Sequence, residues 1–105
     1  DAWARAGTWL EAERAEYRVA SSYLTAGDAT RAAAHARACL ALVDAQPEPQ
    51  PFERFDGCEL LARALRAAGD TAGQAQALVQ ARQALAALPA DDQAACQATL
   101  DAAAA

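Results

Sequence analysis

Four amino acids, Ile, Asn, Lys and Met, are absent from this chain, and Val occurs only three times. Because β-branched residues such as Ile and Val favour strands, their scarcity argues against a sheet. Ala, which has the highest helix propensity, is the commonest residue and supplies most of the 54% hydrophobic share. Large apolar side chains are therefore sparse. The composition predicts an all-α chain with a thin core between closely apposed helices.

Other absences limit the class of function. No apolar run approaches the ~20 residues of a membrane span, and no signal peptide is evident. The nine basic residues, all Arg, are outnumbered by fourteen acidic residues, and this negative balance argues against nucleic-acid binding. The three cysteines are widely spaced without a C-x-x-C pair, which predicts buried, reduced thiols in a cytoplasmic protein. The composition is typical of a GC-rich bacterial genome, and the start at Asp1 indicates a trimmed or partial product.

Helix start and stop signals divide the chain. Thr8 and Glu11 have the spacing of a capping box, which predicts a helix start at Trp9. Gly27 and Gly69 are expected to close helices in the left-handed conformation, each followed by an Asp that caps the next helix. Prolines interrupt residues 46–51 and follow the fourth helix. The predicted helices are 9–26, 28–45, 51–68, 70–88 and 91–103, and residues 1–6 are assigned to the end of a further helix.

The Ala-Gly-Asp sequence occurs twice, at residues 26–28 and 68–70, and in both places a helical segment lies on each side of it. Proline follows the second helix of both units, so the repeating unit is a helical hairpin. Because one hairpin cannot bury its apolar face alone, such hairpins stack side by side. The expected architecture is a single domain of stacked antiparallel hairpins, with hairpin one at 9–45, hairpin two at 51–88 and a capping helix at 91–103.

The two units resemble the tetratricopeptide repeat, and most closely its long-repeat bacterial relatives. The matching residues are Val19, Ala20, Tyr23, Gly27, Asp28 and Ala32 in the first unit, and Leu61, Ala62, Leu65, Gly69 and Asp70 in the second. The repeat, measured from Gly27 to Gly69, is longer than the roughly 34 residues usual in the family. The sequence also departs from the family pattern in Gln74, where a small residue is expected, and in Ala36, where a large one is expected. The resemblance, over residues 9–89, implies a protein-binding or self-associating scaffold.

In the resembled family the first helix of each hairpin lines a concave surface. The corresponding groove residues here are Arg14, Tyr17, Ser21 and Leu24 in hairpin one, and Asp56, Glu59, Arg63 and Arg66 in hairpin two. A groove with arginines and an aromatic floor suits an acidic peptide or a C-terminal carboxylate. The alternative is that these arginines form ordinary surface pairs at helical spacing.

A competing hypothesis concerns the amino-terminal end. Trp3 and Trp9 lie where a two-hairpin stack exposes an uncapped face, and such a face tends to find a partner. The partner would be a preceding segment, another protein or a second copy of the chain. Homodimerisation through the first helix is the preferred form of this hypothesis.

Three titratable residues are candidates for an enzymatic site. Glu13 and Glu16 fall inside the apolar arc of the first helix, where they suit either acid–base chemistry or a hard metal ion. The favoured interpretation is that they reach the rim or pair with Arg from a neighbouring helix or subunit. His35, the only histidine, is expected to face solvent or a groove edge. The chain is therefore expected to be a non-enzymatic interaction module without metal or cofactor, presenting a groove to a peptide or protein; the alternative is a self-associating homodimeric subunit.

Overall fold

The computed structural model describes the backbone of residues 2–104 and the side chains of residues 7–104. Within this range the chain forms five helices and no strand, which confirms the predicted all-α fold. Apart from the start of α1, every helix end lies within two residues of its predicted position. The helices are α1 (Ala2–Thr25), α2 (Ala29–Asp44), α3 (Pro51–Ala67), α4 (Thr71–Ala86) and α5 (Ala90–Ala104).

The predicted start of the first helix is wrong. Helix α1 begins at Ala2, so Thr8 lies inside the helix and not at its amino-terminal cap. The preceding residues are rich in Ala, and their helix propensity continues the helix through Gly7 in spite of the ~1 kcal/mol penalty of a glycine. Residues 2–6 belong to α1 itself and not to a further helix.

Two identical turns join the helices within each hairpin. Gly27 has φ +86° and Gly69 has φ +80°, the left-handed conformation that was predicted for both. The amide of Asp28 donates to the carbonyl of Tyr23 at 2.9 Å, and Gly27 donates to Leu24 at 3.1 Å. This Schellman pattern satisfies the last carbonyls of α1. The same pair of bonds recurs in the second unit, at the end of α3.

Each turn also starts the next helix. The carboxylate of Asp28 accepts from the amide of Arg31 at 3.1 Å, and that of Asp70 accepts from Gly73 at 2.8 Å. These contacts confirm both predicted N-caps. Pro51 begins α3 as expected, since the first helical position needs no amide hydrogen.

The helices stack in sequence order. Helix α1 packs on α2, α2 on α3 and α3 on α4, and α1 also contacts α3 directly. Helix α5 contacts both α4 and α3, although it packs on α4 much less extensively than α3 packs on α2. The resulting slab measures 43 × 30 × 19 Å. No described helix combines the length and the apolar character that a membrane crossing needs.

Small residues allow the close packing. Ala20 and Ala62, which the repeat pattern placed at helix contacts, are both completely buried. At Gly57 on α3, an added Cβ would lie 2.8 Å from Cδ2 of Leu40 on α2. Helices α2 and α3 can therefore approach this closely only because residue 57 has no side chain.

Candidate functional site

A groove runs between α1 and α3, the first helices of the two hairpins. It contains a hollow of about 240 Å³. The residues that line it are Glu13, Arg14, Tyr17 and Arg18 from α1, and Glu53 and Asp56 from α3. The repeat pattern predicted a groove at this place. Of the predicted residues, the hollow brings together Arg14, Tyr17 and Asp56.

The α3 part of the predicted site is arranged differently. Glu59 is only 5% exposed, so it is too deep to meet a ligand directly. It holds Arg63, whose Nη2 donates to Oε2 of Glu59 at 3.0 Å and whose Nε lies 2.7 Å from Oε1. The Nε contact lacks the geometry of a hydrogen bond, so the Nη2 bond anchors the pair. Because Glu59 neutralises Arg63, α3 does not present the expected cationic wall.

The remaining predicted residues spread away from the hollow. Ser21 lies with Tyr17 and Arg18 beside a neighbouring depression on α1. Leu24 is partly buried against the core. Arg66 is exposed and does not line the hollow. Of the three arginines predicted for the groove, Arg14, Arg63 and Arg66, only Arg14 lines the hollow.

The α3 side of the groove is acidic instead. Partial burial raises the pKa of the Asp56 carboxyl to about 6, and neighbouring carboxylates add to the shift: Glu59, Glu53 and Glu13. Part of Asp56 nevertheless remains exposed to solvent. Burial and then the charge of Asp56 also raise the pKa of the Tyr17 phenol. Burial is the larger cause of both pKa shifts, and the neighbouring carboxylates add to it.

A buried polar contact supports the groove from below. Glu13 is 3% exposed, and its Oε1 accepts a hydrogen bond from Sγ of Cys39 on α2 at 3.1 Å. The expectation that Glu13 reaches the rim or pairs with Arg is therefore wrong. Burial and this bond raise the pKa of the Cys39 thiol, so the sulfur is a hydrogen-bond donor and not a nucleophile. As predicted, Cys39 and Cys58 are buried and free, whereas Cys96 is partly exposed.

His35 remains partly exposed, but it also has partners that the sequence did not predict. It lies at the α1–α2 interface, where its Nδ1 is 2.6 Å from Oε2 of Glu16. Its ring stacks on that of Tyr23 with 5.5 Å between centroids, and the guanidinium of Arg31 lies over the Tyr23 ring, 5.9 Å from its centroid. Glu16 thus pairs with a histidine and not with an arginine. These contacts tie the two helices of hairpin one together.

Glu13 and Glu16 do not form a carboxylate pair, because they bind different residues of α2. Among the residues whose side chains are described, no group of His, Cys, Asp and Glu is arranged to hold a metal ion. Trp9 is half-buried, and the side chain of Trp3 lies outside the described residues. Among the described side chains of α1, the exposed large apolar residue is Val19, at 39%.

The sequence analysis did not identify Glu53 and Arg18 as groove residues, and it did not predict that Glu13 is buried. For Glu53 a signal existed, because it lies three residues before Asp56 and so on the same face of α3. The groove as a whole offers an aromatic ring, two guanidinium groups and a set of carboxylates around an open hollow. No protein-family model, no curated protein and no solved structure matches this chain.

Proposed function

We propose that this protein is a non-enzymatic interaction module of the tetratricopeptide-like class, which binds a peptide or protein segment in the α1–α3 groove. The observation that carries the proposal is the open hollow beside Tyr17, since three charged residues of its walls have no ion-pair partner in the described part of the chain. Within the described residues, Arg14, Arg18 and Glu53 form no ion pair with one another or with other side chains. Such groups are available to a ligand.

Two features of the fold support the tetratricopeptide-like class. The same Schellman turn and Asp cap close both hairpins, once at Gly27 and once at Gly69. Each hairpin's second helix packs on the next unit's first helix, which is how helical repeats bury their apolar faces. A groove between successive first helices follows from that arrangement.

The charges of the groove favour a ligand with a cationic side chain. Asp56 lies among three other carboxylates, and an Arg or Lys from the ligand would relieve their mutual repulsion. The acidic ligand expected from the sequence would be repelled by these carboxylates. It could form ion pairs only with Arg14 and Arg18 of α1. A basic peptide therefore replaces an acidic one in the proposal.

A cationic ligand should bind more tightly as the pH rises. With a pKa of about 6, the Asp56 carboxyl is mostly protonated at pH 5 and mostly ionised at pH 7. The ionised fraction rises about tenfold between these values, and the affinity should rise by about the same factor because only the ionised form attracts the cation.

The test is selection of random decapeptides displayed on phage, followed by calorimetry of the selected peptides at pH 5 and pH 7. We expect enrichment in Arg and Lys, about tenfold tighter binding at pH 7, and loss of this pH dependence in Asp56→Asn. The matched control is Glu48→Gln, which removes one negative charge from the exposed interhairpin segment. Selection of no peptides above background, or of acidic peptides that bind Asp56→Asn equally well, would contradict the proposal.

A further inference from the structure

The outer face of α1, which is turned away from the core, carries an exposed stripe of small and medium-sized residues. These residues recur every three or four positions, so they lie on one side of the helix. A shallow hollow of about 380 Å³ opens on the same side between Arg18 and Ala26. The stripe residues are Ala12, Ala15, Val19 and Ser22.

The internal repeat identifies this face as a site for helix docking. When Gly27 is aligned with Gly69, the positions equivalent to Ala15, Val19 and Ser22 are Gly57, Leu61 and Ala64 on α3. All three α3 residues are buried, and Gly57 lies directly against Leu40 of α2. The same face of the equivalent helix is therefore covered by a helix in hairpin two and left open in hairpin one.

The charges beside the stripe indicate what covers it. Glu11 and Arg18 are both exposed, and neither forms an ion pair within the described part of the chain. They are seven residues apart, which is close to two helical turns, so both lie on the same flank of the stripe. In an antiparallel pair of such helices, each glutamate of one helix lies opposite the arginine of the other. The face is complementary to itself.

We propose that the outer face of α1 binds the same face of a second copy of this chain, with the two helices antiparallel and the two-fold axis near Ala15. Glu11 of each copy then pairs with Arg18 of the other. Val19 of each copy packs over Ala12 of the other, and because the remaining stripe residues are Ala and Ser, the helices can approach closely. The contact is isologous, so it closes as a dimer and does not extend into a fibre.

The size of the face sets the strength of this dimer. A helix of 24 residues is about 36 Å long. One helix pair of this length buries less than the ~1,200 Å² of a standard stable interface. The dimer is therefore expected to be weak and to dissociate on dilution.

The test is sedimentation equilibrium of the chain over micromolar to millimolar concentrations, with charge-reversal variants. Glu11→Arg alone and Arg18→Glu alone each place like charges together, and each should weaken association at least tenfold. An equimolar mixture of the two variants should associate as the native chain does, because every pair in the heterodimer is again Arg with Glu. The double variant Glu11→Arg/Arg18→Glu should associate with itself.

Arg82→Glu is the matched control, since it reverses an exposed charge on α4 and should leave association unchanged. Circular dichroism of each variant confirms that the helices remain. A native chain that stays monomeric throughout, or a mixture of the single variants that associates no better than its components, would overturn the proposal. Because Glu11 does not line the α1–α3 groove, peptide binding by Glu11→Arg tests the groove separately.

Discussion

Replacing Gly27 by Ala isolates the contribution of the turn between the helices of hairpin one. An added Cβ there would meet no heavy atom within 4 Å, so no clash enters the result. The penalty comes from φ +86°, a conformation that costs an L-residue about 1–2 kcal/mol. Reduced freedom of the unfolded chain offsets about 0.4–1 kcal/mol of this. The net expectation is a loss of about 1 kcal/mol in the free energy of unfolding, and the same holds at Gly69.

Gly7→Ala is the matched control for this prediction. Gly7 lies inside α1, is exposed and likewise has nothing within 4 Å of an added Cβ, but it has no positive φ. The same chemical change should there stabilise the protein by about 0.5–1 kcal/mol. Urea unfolding followed by circular dichroism measures both variants, and a difference of about 1 kcal/mol corresponds to a Tm shift of about 4–8 °C. A Gly27→Ala variant as stable as the native chain would refute the argument.

Three further outcomes follow from the titratable groups. Because the pKa of Asp56 is raised to about 6, the folded chain binds a proton more readily than the unfolded chain, and this group's contribution to stability should fall as the pH rises from about 4 to about 6. Urea midpoints at several pH values should show Asp56→Asn gaining on the native chain over this range, whereas a constant difference would contradict the assigned pKa. Cys39→Ala removes the thiol that donates to buried Glu13, and it should destabilise by about 1–3 kcal/mol in chemical denaturation. The same change at partly exposed Cys96 should stay within about 0.5 kcal/mol, and equal effects at the two sites would mean that the buried bond contributes nothing. A thiol reagent should modify Cys96 in the native chain and the other two cysteines only after unfolding, because both are buried and the pKa of Cys58 is raised to about 11. Native-state modification of Cys58 as fast as that of Cys96 would show that the core opens.

The sequence predicted the groove's position but not its charge. Its position follows from the repeat, because equivalent helices of stacked hairpins lie side by side. Its charge depends on which side chains neutralise one another. Arg63 was expected to face a ligand, but its Nη2 donates a hydrogen bond at 3.0 Å to Glu59 one turn earlier. Helical spacing permits both arrangements, so only the packed structure distinguishes them.

His35 and Glu13 show the same limit. A helical projection places His35 away from the apolar stripe of α2, yet the long helix α1 partly covers that side and brings Glu16 to it. Glu13 is buried because α1 packs on α2 and also contacts α3, a condition that the pattern of α1 alone does not contain. The partner of His35 lies 19 positions away in the sequence, and that of Glu13 lies 26 positions away. The local sequence carries no signal for such pairs.

The sequence by itself determined the helices and the turns between them. Gly27, Gly69 and the Asp after each act on hydrogen bonds between residues close together in the sequence, so their effect does not depend on the rest of the chain. The tertiary structure alone decided which polar groups are paired and which remain open, including the acidic groove and the uncovered stripe on α1. Those outcomes depend on the distance and the rotation between neighbouring helices. Both are set by side-chain packing, for example where Leu40 of α2 packs against Gly57 of α3.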